Sequence, residues 1–112
     1  MRWPLTFYVK TLPPKVGGRA NGPVIRILES YRDDEGIYQH ELVHVKQWLR
    51  TLGLHGFMYL LSDSYKLRAE VEAYREQARY YSDDRIPMFA GFIAENYELT
   101  ISPEEALKEL RK

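Results

Sequence analysis

The segment QHELVHVKQW, residues 39–48, contains two of the chain's three histidines, with a glutamate next to the first of them. Around it, apolar residues recur at the spacing of one helix face and predict a core-facing stripe: Tyr38, Leu42, Val45, Leu49 and Leu52. His40 and His44 are one turn apart, so their imidazoles should project side by side, with Glu41 between them and the stripe. The segment therefore predicts an amphipathic helix with a cluster of titratable groups along one edge.

Two imidazoles at this spacing suit a metal ion. In a catalytic site, Zn²⁺ binds three protein ligands and a water, with imidazole nitrogens at about 2.0–2.1 Å. The ion lowers the pKa of that water toward ~7, and Glu41 is placed to take its proton as a general base. The alternative is a chance pair of histidines on a charged helix face. A third ligand decides between the two interpretations.

The sequence restricts the choice of that third ligand. An extended three-histidine motif would require glycine at position 47 and histidine at position 50, where the chain has Gln47 and Arg50. There is no cysteine, so thiolate ligands are excluded. His55 follows the predicted helix stop at Gly53 closely and would have to fold straight back, so it ranks below the carboxylates as a ligand.

The segment RAEVEAYREQARYY, residues 68–81, contains the carboxylate candidates on a second predicted helix. Glu70 shares a largely apolar, inward face with Leu67, Tyr74, Ala78 and Tyr81. Glu72 shares a solvated face, whose charges should pair at i,i+3 and i,i+4, with Arg68, Arg75, Glu76 and Arg79. An inward carboxylate is costly unless it is paired or binds a metal, which makes Glu70 the predicted third ligand. The alternative is a buried glutamate that bonds to an arginine or a tyrosine hydroxyl.

The sequence HELVH, followed by a helix containing E-x-x-A-Y, resembles the gluzincin branch of the zincin metallopeptidases over residues 36–81. Small proteins of this appearance occur in phages and mobile elements. The resemblance implies a Zn²⁺ cofactor with His40, His44 and Glu70 as ligands. It also implies that Glu41 is the catalytic base.

Tyr74 departs from the family pattern. Several gluzincins have an aspartate four residues after the ligand glutamate, where it orients a ligand histidine. Tyr74 could offer its hydroxyl to a ligand histidine, assist catalysis by donating to the substrate oxyanion, or serve as a core aromatic residue. His55 and Tyr97 are further candidates for the oxyanion donor. Tyr38 and Trp48 are expected in the core.

The resemblance also implies a strand at the sheet edge beside the active-site helix, to which an extended peptide substrate adds. Residues 24–30 are at the right place along the chain for this role. A purely structural strand is the alternative.

The rest of the sequence predicts an α+β fold. Residues 5–12 and 24–28 have the composition of strands and predict an antiparallel hairpin. Helices are expected from a cap at Asp33 or Asp34 to Leu52, over 65–81, from Pro87 through Asn96, and after Ser102, whereas a loop is expected around His55-Gly56. We therefore expect residues 1–112 to form one minimal zincin-like domain.

Composition narrows the function. Sixteen basic residues balance sixteen acidic ones, which argues against a protein whose main task is binding nucleic acid. No apolar run approaches the roughly 20 residues needed to span a bilayer, and residues 1–4 lack the features of a signal peptide. A cytoplasmic protein without a membrane partner is expected.

The sequence thus predicts a zinc-dependent hydrolase of peptide or amide bonds, with a peptide or protein substrate. One alternative is a noncatalytic protein-interaction module that zinc stabilises, such as a phage-encoded structural or regulatory factor. A further alternative is a metal-free helical binding domain.

Overall fold

The computed structural model describes residues 4–112. Within this range, three strands precede five α-helices: β1 (Leu5–Val9), β2 (Gly18–Asn21), β3 (Val24–Leu28), α1 (Glu35–Arg50), α2 (His55–Leu61), α3 (Asp63–Ala78), α4 (Ile86–Asn96) and α5 (Pro103–Leu110). The predicted α+β class is confirmed. The predicted domain also includes residues 1–3, which lie outside the described residues.

The three strands form one mixed sheet in the order β1-β3-β2. β3 pairs parallel with β1 and antiparallel with β2, so the predicted antiparallel hairpin between residues 5–12 and 24–28 is wrong. The reason lies in Gly22-Pro23, because Gly22 has φ +57° at the first position of this two-residue turn, which makes β2 the hairpin partner of β3. The chain after β1 therefore passes to the far edge of the sheet, where it forms β2, and then returns as β3 between the two edge strands.

Helix α1 packs one side of its N-terminal part on the sheet. Asp34 caps the helix by accepting a hydrogen bond from the backbone N–H of Ile37, and the helix ends at Arg50, two residues before the predicted end. Tyr38 and Val45 of the predicted stripe are buried with Ile25 and Ile27 of β3.

The far end of the predicted stripe is not a core face. Leu49 is 49% exposed and Leu52 is 92% exposed, so the prediction is wrong for these two residues. Strands of four and five residues are too short to cover a 16-residue helix along its whole length. Leu52 also lies beyond the helix, in the turn that precedes Gly53.

A second core lies on the other side of α3. Its buried residues come from α3, α4 and α5: Val71, Tyr74, Phe89, Ala90, Ile93, Ala106 and Leu110. Ser102 caps α5, as the sequence predicts for this helix opening, and it forms a capping box with Glu105. The apolar segment after His55 is the short helix α2, where the sequence predicted a loop at its beginning. Among residues 4–112, no helix is long and apolar enough to cross a membrane.

Candidate metal centre

The two histidines of α1 face a glutamate of α3. Nε2 of His40 lies 3.3 Å from Oε1 of Glu70, and Nε2 of His44 lies 3.3 Å from its Oε2. The three candidate ligand atoms lie within 4.8 Å of one another. His40 is 5% exposed and Glu70 is 2% exposed, so the group is almost closed to solvent. The structure therefore brings together the three predicted ligands, in a group that could hold a metal ion.

The carboxylate of Glu70 has one satisfied oxygen and one that lacks a hydrogen bond. The hydroxyl of Tyr59 on α2 donates to Oε2 at 2.6 Å, while Oε1 is buried without any hydrogen-bond partner. A buried acceptor without a partner costs free energy, and almost all such atoms in proteins are satisfied. A cation between this oxygen and the two imidazoles would satisfy it.

Gln47 determines the orientation of His44. Its Oε1 lies 2.8 Å from Nδ1 of His44, and its Nε2 donates to the carbonyl oxygen of Ala69 at 3.1 Å and to Oε1 of Glu72 at 2.9 Å. Because both of these partners are acceptors, the amide nitrogen must face them and the amide oxygen must face the histidine. Nδ1 of His44 is consequently a donor. In the neutral ring, the lone pair then lies on Nε2, toward Glu70.

A second chain of hydrogen bonds orients His40. Its Nδ1 lies 3.0 Å from Oε1 of Gln77, whose Nε2 donates to the hydroxyl of Tyr81 at 3.0 Å. Tyr81 in turn donates to Asp34 at 2.6 Å. Since a carboxylate only accepts, every donor in the chain has a defined direction, and Nδ1 of His40 must carry its proton. Both histidines therefore present Nε2 as a metal ligand would.

The electrostatics of the centre favour a charged pair while it is free of metal. Burial lowers the pKa of His44, but the charge and hydrogen bond of Glu70, together with Glu41 and Gln47, outweigh burial and raise this pKa to about 9. For Glu70, burial raises the pKa, but the charges and hydrogen bonds of His44 and His40 together outweigh burial and hold the pKa well below its usual range. A metal ion would take the place of the proton on His44.

Glu41 lies beside the ligand group without belonging to it. Its Oε2 is 4.0 Å from Nε2 of His40, and a backbone hydrogen bond joins its carboxylate to Ala20 of β2. Burial raises the pKa of Glu41. A Cβ placed on Gly18 would lie 3.2 Å from Cγ of Glu41, so only glycine lets the strand approach this carboxylate without displacement.

The edge strand beside the candidate site is therefore β2. Residues 24–30 were predicted for this position, but β3 is the central strand and both of its neighbours are occupied. Residues 24–28 therefore form a structural strand, which is the alternative that the sequence left open, and not the edge strand.

Tyr74 contacts the centre through its ring. The centroid of this ring lies 4.4 Å from that of His40, and the hydroxyl hydrogen-bonds to the hydroxyl of Tyr97 at 2.7 Å. Its hydroxyl therefore does not orient a ligand histidine, since Gln77 takes that position on His40. Burial raises the pKa of Tyr74, and the same cause raises that of Tyr97.

His55 lies at the rim of the centre. Its Nδ1 lies 2.6 Å from the hydroxyl of Tyr65, and its ring centroid is 5.9 Å from that of His44. His55 does not belong to the group that could hold a metal ion, which agrees with its rank below the carboxylates as a candidate ligand.

Sequence reasoning missed three polar residues that contact the ligands, namely Gln47, Gln77 and Tyr59. A signal existed for the glutamines, because Gln47 is three residues after His44 on the same helix face and Gln77 is seven residues after Glu70. No sequence signal places Tyr59 against Glu70. The predicted partners of Glu72 are also wrong, since it bonds to Gln47 and Arg50 of α1.

Comparison with known proteins gives no match to this chain, whether with protein-family models, curated proteins or solved structures. The resemblance to gluzincins therefore remains a prediction from the motif and its spacing.

Proposed function

We propose that the protein is a zinc-dependent hydrolase of peptide or amide bonds. The observation that supports this most is the buried group of His40, His44 and Glu70, in which Oε1 of Glu70 lacks a hydrogen-bond partner and each Nε2 atom lies 3.3 Å from one carboxylate oxygen. Two imidazoles and one carboxylate, without cysteine, are typical ligands of catalytic zinc. In such sites a fourth position is open to water or substrate.

Each residue of the centre has a separate task in this proposal. A bound zinc ion supplies a water of lowered pKa and polarises the carbonyl group under attack. Glu41 accepts the proton of that water at its carboxylate and transfers it to the leaving nitrogen. The raised pKa of Glu41 makes its carboxylate a stronger base, which favours the first of these two steps.

The substrate we propose is a peptide or protein segment. β2 is an edge strand and lies against Glu41, so an extended chain that paired with it would pass beside the centre. Pairing of this kind holds a substrate mainly through its backbone. A cytoplasmic location is part of the same proposal.

The test separates zinc binding from hydrolysis. Glu41→Gln keeps the size and polarity of the side chain but cannot accept a proton, so zinc binding should persist while hydrolysis falls by about 10²–10⁴-fold. Peptide libraries, unfolded proteins and cell-wall peptides would be offered to both proteins, with zinc content measured in parallel. Glu95→Gln, an exposed change on α4, is the matched control and should keep full activity. Equal hydrolysis by wild type and Glu41→Gln would remove Glu41 as the base.

The alternative function is a noncatalytic interaction module that zinc stabilises. It predicts a zinc ion enclosed by four protein ligands, because structural sites leave no open position. A crystal structure of the zinc-loaded protein distinguishes the two functions. Three protein ligands with one water support the hydrolase, and four protein ligands rule it out.

A further inference from the structure

Helix α2 has two contrasting sides. His55 and Tyr59, one turn apart, contact the candidate metal centre and its rim. The other side is apolar and exposed, with Phe57 at 69%, Leu60 at 78% and Leu61 at 81%. The turn before α2 adds Leu52 at 92% and Leu54 at 57%. We call these five residues the α2 apolar surface.

The α2 apolar surface is large for a protein of this size. If a fully exposed leucine or phenylalanine presents on the order of 190 Å², the five residues together expose about 700 Å². The largest apolar patch of a typical monomer is about 300–600 Å². A standard protein interface buries about 800 Å² on each partner, so the α2 apolar surface is close to one complete half of an interface.

The charges around this surface favour a second copy of the chain as its occupant. Residues 51–62 contain no lysine, arginine, aspartate or glutamate. In a twofold interface the same patch faces itself, so an uncharged patch avoids opposing like charges. A lipid surface fits less well, because binding to anionic lipids requires excess positive charge. Here Arg50 is paired with Glu72, Asp63 follows the segment, and the chain has no net charge.

We infer that the chain forms a homodimer through the α2 apolar surface, with the two α2 helices packed across a twofold axis. Because the outer side of α2 forms the contact, His55 and Tyr59 stay directed at the metal centre of their own chain. The inference stands independently of zinc and of hydrolysis. The first experiments therefore use the full chain with chelator present.

Sedimentation equilibrium at protein concentrations from about 1 μM to about 1 mM measures the dimer dissociation constant. This range covers both transient and stable dimers. Wild type should be a dimer in this range. Phe57→Asp and Leu61→Asp should each weaken the dimer at least about 100-fold, because each places a charge against its own copy. Met88→Asp, on α4, where the residue is 46% exposed, is the matched control and should leave the dimer unchanged. Tyr59→Phe alters only the inner side of α2 and should also remain dimeric.

A spin label provides a second measurement that does not depend on a disruptive variant. The chain has no cysteine, so Leu60→Cys introduces a single labelling position. In the proposed dimer, two labels on α2 should give one narrow distance, shorter than the 24 Å smallest extent of the described chain. The same label at Met88→Cys should give a longer distance. A wild type that is monomeric throughout the range, or a dimer without the short distance at position 60, would overturn the inference. Monomeric wild type that sediments with phosphatidylcholine and phosphatidylglycerol vesicles would identify a lipid surface as the occupant instead.

Discussion

Single residues set the chemistry of the candidate centre by fixing which nitrogen of each histidine carries a proton. The amide oxygen of Gln77 accepts a hydrogen bond from Nδ1 of His40, and that of Gln47 accepts one from Nδ1 of His44. The amide nitrogen of each glutamine donates to another group, and this second hydrogen bond determines the orientation of the amide. A neutral amide orients the ring without adding a second negative charge to a buried site that already contains Glu41 and Glu70. The two glutamines therefore occupy the positions from which neighbouring groups orient metal-binding histidines.

Gln47→Leu tests this role. The change removes the acceptor of His44, so the ring can turn, and zinc affinity should fall by about 10–100-fold. Competition titration with a chromophoric chelator measures the affinity. Gln39→Leu on the same helix is the control, because Gln39 bonds to Glu35 on the surface side. Unchanged affinity in Gln47→Leu would contradict the proposed orientation.

The pKa of His44 leads to a second prediction at this scale. With this pKa raised to about 9, His44 carries a proton at pH 7, which zinc must displace. Zinc binding should therefore release about one proton at neutral pH, and apparent affinity should rise about tenfold per pH unit until the pH passes about 9. Calorimetry in buffers of different ionisation enthalpy measures the release. Repeating the titration with Glu41→Gln separates any protons that the Glu41 carboxyl group releases. If proton release on zinc binding does not diminish above pH 9, the proton does not come from His44.

At the scale of elements, the packing of α1 against α3 brings the ligands together. Gly36 lies in the first turn of α1, where a Cβ would come within 2.6 Å of Cζ and Oη of Tyr81. Tyr81 cannot move aside freely, because its hydroxyl bonds to Asp34 and Gln77. Glycine at position 36 therefore leaves the space that the ring of Tyr81 needs to form the hydrogen bonds that orient His40.

Gly36→Ala should disturb this junction. We expect a loss of about 1–3 kcal/mol in the free energy of unfolding, together with weaker zinc binding, because Tyr81 must leave its hydrogen bonds. Gly91→Ala is the matched control within α4, since a Cβ there has nothing within 4 Å. The control should stabilise the protein by about 0.5–1 kcal/mol through helix propensity. Urea unfolding measures both variants, and equal stabilisation of the two would show that Tyr81 moves without cost.

For the whole molecule, zinc binding and folding should be coupled. The ligands lie on two helices that are separate in the sequence, so an unfolded chain does not hold them together. Free zinc at 100 times its dissociation constant should stabilise the folded state by about 2.7 kcal/mol, which for a chain of this length raises Tm by about 10 °C. Thermal unfolding with zinc and with chelator measures the shift. Glu70→Ala should lose most of it, and a full shift in that variant would exclude Glu70 as a ligand.

The sequence alone determined those features that depend on spacing within one element. The helical period placed His40 and His44 side by side, and the same period separated the buried Glu70 from the more exposed Glu72. The order of strands before helices also followed from composition. One local signal was present but missed, because glycine at the first position of the two-residue turn Gly22-Pro23 is typical of a hairpin such as that between β2 and β3.

Only the tertiary structure decided the features that depend on contacts between distant segments. The hydrogen bond between His40 and Gln77 joins residues 37 positions apart, and the position of Tyr59 against Glu70 depends on how α2 folds back on α3. The exposure of Leu49 and Leu52 followed in the same way from how far the sheet extends along α1. A periodic pattern shows which side of an element faces inward, but the identity of what meets that side depends on the packing of the whole chain. For this reason the sequence could predict the candidate ligands, whereas the groups that hold these residues in place became visible only in the folded protein.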